Sequence, residues 1–326
     1  MMDGGVPAGG WRGVRRRAAL RAGALLAVFA AAGLPAFAAM PLDHAGLRRV
    51  LGRELQRFAE RHAPPRLAEP PPWARRPDPP AATIAVLADI HYDDSGVATW
   101  TRASRERLTA AIRFLNTTIK PQRVLLLGDI IAFEGISQLR RVKQLLDGEL
   151  AAPYTAVWGN HDGPGFETVF GTPHTSLAVG GLRLITIGLT YTQWDAGWGR
   201  YERLDWLARE LAANPREPTL VLTHNPVAFP TFANNAEVLR VLDAQPQVLG
   251  ILAGHLHVDY ELSLAKVHFG FPMFARPPHA FKVLRIYPDA IHILTYGERD
   301  GAWRQAPVYQ KLDVPPPLRP PATRPR

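Results

Sequence analysis

Cysteine is absent from the 326 residues. Disulfides, thiolate zinc sites and a cysteine nucleophile are thereby excluded, and any metal has to be held by His, Asp, Glu or Asn. Long apolar runs are also scarce. The candidate, Ala22 to Phe37, is rich in alanine and broken by Gly33 and Pro35, so it is too short and too interrupted for a comfortable membrane span. Positive charge is scarcer in the body of the chain than the net +9 suggests. Five arginines and one aspartate in residues 1–38 account for +4 of it, and Arg319, Arg324 and Arg326 lie in a Pro-rich tail. The rest is only mildly basic, which argues against a dedicated nucleic-acid surface. What is there, 47% hydrophobic and 21% charged, is a globular composition. The length suits one large α/β domain or two small ones.

The N-terminus has the parts of an export signal. Arg12 to Arg21 is basic, the weakly apolar run follows, and Ala36-Phe37-Ala38 has the small-x-small pattern of a signal-peptidase site. Arg16-Arg17-Ala18-Ala19-Leu20-Arg21 also resembles a twin-arginine signal, with Ala19 in place of the usual Phe. On this reading residues 1–38 are a leader cleaved after Ala38, and the mature bacterial protein is periplasmic or secreted. An ordinary Sec leader or an uncleaved anchor is the alternative.

Residues 39–80 read as a helix and a linker. Leu47, Val50, Leu51, Leu55 and Phe58 form one apolar stripe on a helix from about Asp43 to Arg61. The stripe fits docking on the domain; the nearby Arg48, Arg49, Arg53 and Arg57 leave contact with a membrane surface open as well. Pro64 to Pro80 reads as a Pro-rich linker extended across the surface. A folded domain over 81–312 and a disordered Pro/Arg-rich tail over 313–326 complete the expected organisation.

Within the domain, apolar strands alternate with helical patterns, which argues for an α/β fold. Thr83–Ala88, Arg123–Leu127, Tyr154–Trp158, Thr219–Thr223 and Val248–Leu252 are the strands that matter most. Each ends in metal-type residues: Asp89-Ile90-His91, Gly128-Asp129, Gly159-Asn160-His161-Asp162, His224, and Gly254-His255-Leu256-His257. A parallel sheet brings such strand ends together along one edge. Carboxylate, imidazole and amide oxygen are the donors that hard and borderline divalent ions take. One carboxylate can bridge two ions, and a water between them is activated as a nucleophile. A nearby imidazole can protonate the leaving alkoxide. Ser176–Val179 and Leu182–Leu189 around Gly180-Gly181 read as a hairpin, and strands to Tyr296 follow.

The ordered set Asp-x-His, Gly-Asp, Gly-Asn-His-Asp, His, Gly-His-x-His resembles the calcineurin-like metallophosphoesterase superfamily over Thr83 to Tyr296. The resemblance implies a β-sandwich of two mixed sheets flanked by helices, and two metal ions, Mn, Fe or Zn. It assigns Asp89, His91 and His257 to one ion, Asn160, His224 and His255 to the other, and Asp129 to both. His161 becomes the general acid or a donor to a phosphate oxygen, and Asp162 the residue that orients it. The implied reaction is hydrolysis of a small-molecule phosphate ester by in-line attack of a metal-bridging hydroxide.

Departures narrow the branch. The Asp-Arg-Gly run of the protein Ser/Thr phosphatases is missing after Asp129, and Ala132 stands about where purple acid phosphatases have a tyrosine. What remains resembles the compact phosphodiesterase branch, similar to bacterial cyclic-nucleotide phosphodiesterases. A monoesterase, a hydrolase of envelope lipids or pyrophosphates, and a non-catalytic scaffold are the alternatives on the same fold; scaffolds usually lose ligands or the acid histidine, and neither is lost here. Tyr92, Phe133, Trp194, Trp198, Arg200, Phe229, Arg276 and His279 fall in loops near the expected cleft, where stacking, phosphate clamping or ordinary packing would each suit them.

Overall fold

The structure, a computed structural model, describes residues 44–95, 103–133, 135–191, 199–229 and 231–319. The expected leader, Trp194, Trp198 and the last seven residues lie outside them. The chain divides into two compact units, Met1–Arg48 and Arg49–Arg326, and both sheets and the ligand-bearing loops belong to the second. Among the described residues no helix is long and apolar enough to cross a membrane.

Two six-stranded mixed sheets face each other. The first has the order β12-β11-β10-β1-β2-β3 and the second β4-β5-β6-β7-β9-β8. Strands β1 (Ala82–Leu87), β2 (Arg123–Leu126) and β3 (Tyr154–Ala156) run parallel in the first sheet. In the second sheet β5 (Leu182–Ile187), β6 (Thr219–Thr223), β7 (Val248–Ala253) and β9 (Val267–Gly270) do the same. Antiparallel strands complete the sheets: β4 (Thr175–Val179) and β8 (Tyr260–Ser263) in the second, β10 (Ala280–Ile286), β11 (Ala290–Arg299) and β12 (Ala302–Asp313) in the first. The β4–β5 turn is Gly180-Gly181, both at positive φ (59° and 80°), as a two-residue hairpin with matching twist requires.

The near-continuous apolar runs of the central strands arise from burial on both faces. Ile84, Val86, Leu220, Leu222, Leu252 and Leu284 fill the layer between the sheets. Ala85, Leu87, Val124 and Leu126 point the other way, onto helices α2 (Ser104–Phe114, continued by a π-turn to Ile119) and α3 (Ile136–Glu149) through Leu108, Ile112, Leu139 and Val142. A one-turn helix, α4 (Phe166–Phe170), packs on the same side. Helices α5 (Leu204–Ala213) and α6 (Asn235–Asp243) cover the second sheet through Leu207, Leu211, Val238 and Leu242.

Three segments differ from the sequence reading. Strand β12 is not foreseen, and it forms an edge of the first sheet. Residues 313–319 are not a loose tail: Val314 N–H donates to Asp289 O, and Leu318 is buried in the inter-sheet core. The proline-rich stretch after α1 (His44–Glu60) lies across the surface as expected, but specific contacts fasten it there as a strap. Arg66 bridges to Val308, Leu67 N–H donates to Pro307 O at 2.9 Å, Trp73 packs edge-on against His292 and Arg76 pairs with Asp289 at 2.6 Å. The strap covers backbone groups that an edge strand would otherwise present to other chains.

Candidate metal centre

Every one of the five parallel strand ends singled out in the sequence arrives at one edge of the sandwich. Asp89 and His91 follow β1, Asp129 follows β2, and Asn160, His161 and Asp162 follow β3, all in the first sheet. His224 follows β6, and His255 and His257 follow β7, in the second. The loops after β1 and β2 do not diverge. His91 N–H donates to Asp129 O at 2.9 Å and Tyr92 N–H to Ile130 O at 2.8 Å, so they stay zipped in parallel beyond the strands.

Two clusters form, joined by Asp129. In the first, donor atoms of Asp89, His91, Asp129 and His257 all lie within 4.8 Å of one another; His257 Nε2 is 3.3 Å from Asp89 Oδ1, and His91 Nε2 is 3.7 Å from Asp129 Oδ2. In the second, His224 Nε2 is 3.3 Å from Asp129 Oδ1 and 3.2 Å from Asn160 Oδ1, and His255 Nδ1 is 3.0 Å from the same Asn160 oxygen. Asp129 thus turns one carboxylate oxygen to each cluster. The residues fit the two ions the family implies. Ligands about 2.1 Å from one ion, in octahedral or tetrahedral arrangement, sit roughly 3.0–3.4 Å from their neighbours. Four of the separations, at 3.0–3.3 Å, match that, His91 to Asp129 at 3.7 Å is longer, and an all-N/O donor set suits borderline divalent ions. Each cluster draws ligands from both sheets.

Local backbone makes this convergence possible. Asp89, His91, Asp129, His255 and His257 all adopt positive φ, between 43° and 67°. Non-glycine residues seldom do so, and held conformations of this kind concentrate at functional sites. Glycine is needed where loops cross. A Cβ on Gly254 would lie 2.7 Å from Asp89 Oδ2, and one on Gly159 would collide with the backbone and carboxylate of Asp129.

The charges are mutually compensating. Burial opposes ionisation of Asp129, yet His224 and its neighbours hold its carboxyl well below the usual carboxylate range. Burial likewise opposes charge on His224, but Asp129 and Asp89 push the imidazole up to about 9. Burial, reinforced by His224, holds His255 down to about 3, and burial holds His91 down to about 4, so both present lone pairs at neutral pH. His224 Nδ1–H donates to Leu127 O at 2.8 Å, which orients the ring so that Nε2 faces the cluster.

His161 stands at the mouth, its side chain 41% exposed. Nδ1 lies 2.7 Å from Ala132 O. A carbonyl only accepts, so Nδ1 carries a proton and Nε2, 3.9 Å from Asp129 Oδ2, is the nitrogen that can exchange one with a bound group. Asp162 does not orient His161, contrary to the sequence expectation. It is fully buried and accepts from Ile130 N–H (2.7 Å), Ile131 N–H (3.1 Å) and Gly159 N–H (2.8 Å). Its two oxygens tie the Asp129 loop to the Asn160 loop. Burial and the Asp129 carboxylate push its carboxyl up to about 7, against the pull of those amides.

Of the loop residues suggested for substrate, Tyr92 is buried core, and Phe229 is buried against Phe58 and Tyr260. Phe133 is 43% exposed, one residue from the Ala132 carbonyl that holds His161. Arg200 and Arg276 are exposed; His279 donates through Nδ1 to Phe274 O at 3.1 Å. Sequence reasoning missed the Leu127 and Ala132 carbonyls, which carry no side-chain signal. It also missed Asn225, which accepts from Tyr191 O–H at 2.5 Å beside His224; a second polar residue directly after the strand-end histidine was the available clue.

Residues 82–259, more than half of the chain, match the calcineurin-like phosphoesterases. The chain belongs to that family. Among curated proteins it is similar to a 3′,5′-cyclic-nucleotide phosphodiesterase of Nostoc sp., 28% identical over 137 residues, which is 38% of this chain and 51% of that protein. The match thus spans about half of the relative's length. Among solved structures the fold is similar to a dimetal phosphatase of Danio rerio, with a TM-score of 0.55, 19% identity, and 72% of this chain and 99% of that one covered. It is also similar to a purple acid phosphatase of yellow lupin, with a TM-score of 0.52, 13% identity, and 71% and 53% covered. Calcineurin-like phosphoesterases are metal-dependent phosphoester hydrolases, and the two-sheet architecture here is theirs.

Proposed function

We propose that this calcineurin-like phosphoesterase is an exported phosphodiesterase that uses two metal ions and His161 to hydrolyse a small phosphodiester. The observation that supports it most is the shared carboxylate. Asp129 lies between two ligand clusters, with the exchangeable nitrogen of His161 3.9 Å from it. The name of one relative, a 3′,5′-cyclic-nucleotide phosphodiesterase, supports the diester reading over the monoester one.

Asp89, His91 and His257 would hold one ion, Asn160, His224 and His255 the other, and Asp129 both. Bound there, the ions supply Lewis-acid stabilisation of phosphoryl charge and activation of water. The protein's own groups do the rest. His161, held by Ala132 O through Nδ1, delivers a proton from Nε2 to the departing ester oxygen. Its backbone N–H donates to Asp129 Oδ1 at 2.8 Å, so the acid and the bridging carboxylate share one rigid frame. Asp162 locks the two loops that carry them. The leader-like residues 1–38 support export before or after folding, and metal loading of a folded chain suits the twin-arginine reading.

The test is the purified chain with Mn²⁺, Fe or Zn²⁺, assayed on bis(p-nitrophenyl) phosphate, 3′,5′-cyclic nucleotides and p-nitrophenyl phosphate. Diesters turned over in preference to the monoester are expected. Inactivity on all three with every metal would overturn the proposal, and preference for the monoester would replace it with a phosphatase.

A further inference from the structure

The inward face of the first sheet is apolar along most of its length. Leu284 and Ile286 of β10, Ile291 and Ile293 of β11 and Leu312 of β12 all belong to the inter-sheet core. Towards the ligand-bearing edge the pattern breaks. Lys282, Thr295 and Gln310 keep the inward parity of those residues and are 0%, 5% and 3% exposed. Lys282 stands opposite Thr295 in the ladder and beside Val86, three residues before Asp89. Three polar side chains on neighbouring strands thus meet where leucines would pack.

They converge on one segment. Lys282 Nζ lies 2.6 Å from Asp259 Oδ1 and also donates to Gln310 Oε1. Thr295 Oγ1 donates to Asp259 Oδ2 at 3.4 Å, and Gln310 Nε2 to Glu261 Oε2 at 3.0 Å. Asp259 is two residues after His257, and Glu261 is four after it. A fully buried lysine is rare unless paired, and desolvating it costs several kcal/mol. An apolar trio would serve the fold as well or better. The position of the partner is what the polar trio adds. The segment from His255 to Asp259 has two residues at positive φ, 67° and 61°, a conformation that persists only when its surroundings over-determine it.

We propose that Lys282, with Thr295 and Gln310, is a positioning device that anchors Asp259 across the sheets and thereby sets His257 against Asp89 and His91. The inference rests on the reading of that cluster as a metal site. Lys282 touches no ion and no substrate; it acts through the chain between Asp259 and His257.

The experiment is calorimetric titration of chelator-stripped full-length protein with Mn²⁺, alongside thermal melts. Wild type is expected to bind two ions and His257→Ala to lose or weaken one, which identifies the site. Lys282→Met is expected to weaken that same ion about ten-fold or more, in line with other residues that orient ligands, and to leave the second within about three-fold. Folded Lys282→Met with wild-type affinity at both sites would overturn the proposal. So would equal weakening at both sites in step with a fall in Tm, which marks a merely structural role. If Lys282→Met does not fold, Gln310→Leu and Thr295→Val are read instead. A smaller loss at the His257 ion supports the device, and unchanged affinity in both overturns it. Wild type that binds no ion overturns the metal reading itself and this inference with it, an outcome separate from a failure of the lysine variant alone.

Discussion

At the residue scale the site is built as much from backbone as from ligands. Both Asp162 oxygens are taken by amides of two different loops. Asp162→Asn would point an amide NH2 at groups that can only donate. A loss of about 1–3 kcal/mol is expected, the cost of leaving buried donors unmet. Thermal melts should show the lower Tm together with weaker metal binding. His161→Ala should retain both ions by elemental analysis. It should slow alkyl leaving groups far more than nitrophenol, which needs little protonation; equal slowing of both would remove His161 as the acid. The identities of these residues were legible in the sequence because each ends an apolar run. Their conformations were not: nothing in Asp89, His91 or Asp129 announces positive φ. Nor could an Ala132 side chain announce that its carbonyl holds His161.

At the element scale the central strands were legible because burial on both faces leaves an unbroken apolar run. Strand β12 was not. Its buried Trp303, Val308 and Leu312 are interleaved with Arg304, Gln305, Gln310 and Lys311, and Pro307 sits in the middle. Proline is tolerated there because β12 is an edge, and the Pro307 carbonyl takes a hydrogen bond from the strap. The course of the strap across the surface was legible, but its contacts were not, because proline hides tertiary packing from any periodicity argument. The C-terminal half of α1 has a role that its amphipathic stripe only hinted at. Phe58 meets Phe229 edge-on at 5.8 Å, Phe229 meets Tyr260 at 5.6 Å, and Glu261 N–H donates to His62 O. This end of the helix and the turn after it therefore brace the loop after β6 and the start of β8. Phe58→Ala is expected to cost about 2 kcal/mol, seen as a lower urea midpoint at unchanged m-value.

At the scale of the whole molecule, acid should find the buried histidines. His268 on β9 is 1% exposed, its Nε2 has no hydrogen-bond partner among the described residues, and burial holds it down to about 4. The folded chain keeps this ring neutral, while the unfolded chain takes up a proton below about 6.5. Its contribution is therefore constant above pH 6.5 and is lost as pH falls from 6.5 to 4, by up to about 3 kcal/mol. His268→Gln should flatten the stability profile in that window by one proton, whatever it does to stability at pH 8; an unchanged slope would show that the ring is already protonated in the fold. Metal should act in the opposite sense. An ion present at about 100 times its Kd adds about 2.7 kcal/mol, so chelator should lower the Tm and Mn²⁺ restore it.

The division of ligands between the sheets has a mechanical side. Asp89, His91, Asp129 and Asn160 ride on one sheet, and His224, His255 and His257 on the other. Two ions shared in this way would be rivets between the two sheets of the sandwich. Force that pries β1 from β7 would load the coordination bonds at that edge, while the opposite edge is held by apolar packing around Leu318. The ligand-bearing edge would then be the last to part, and a chain stripped of metal would lose that fastening.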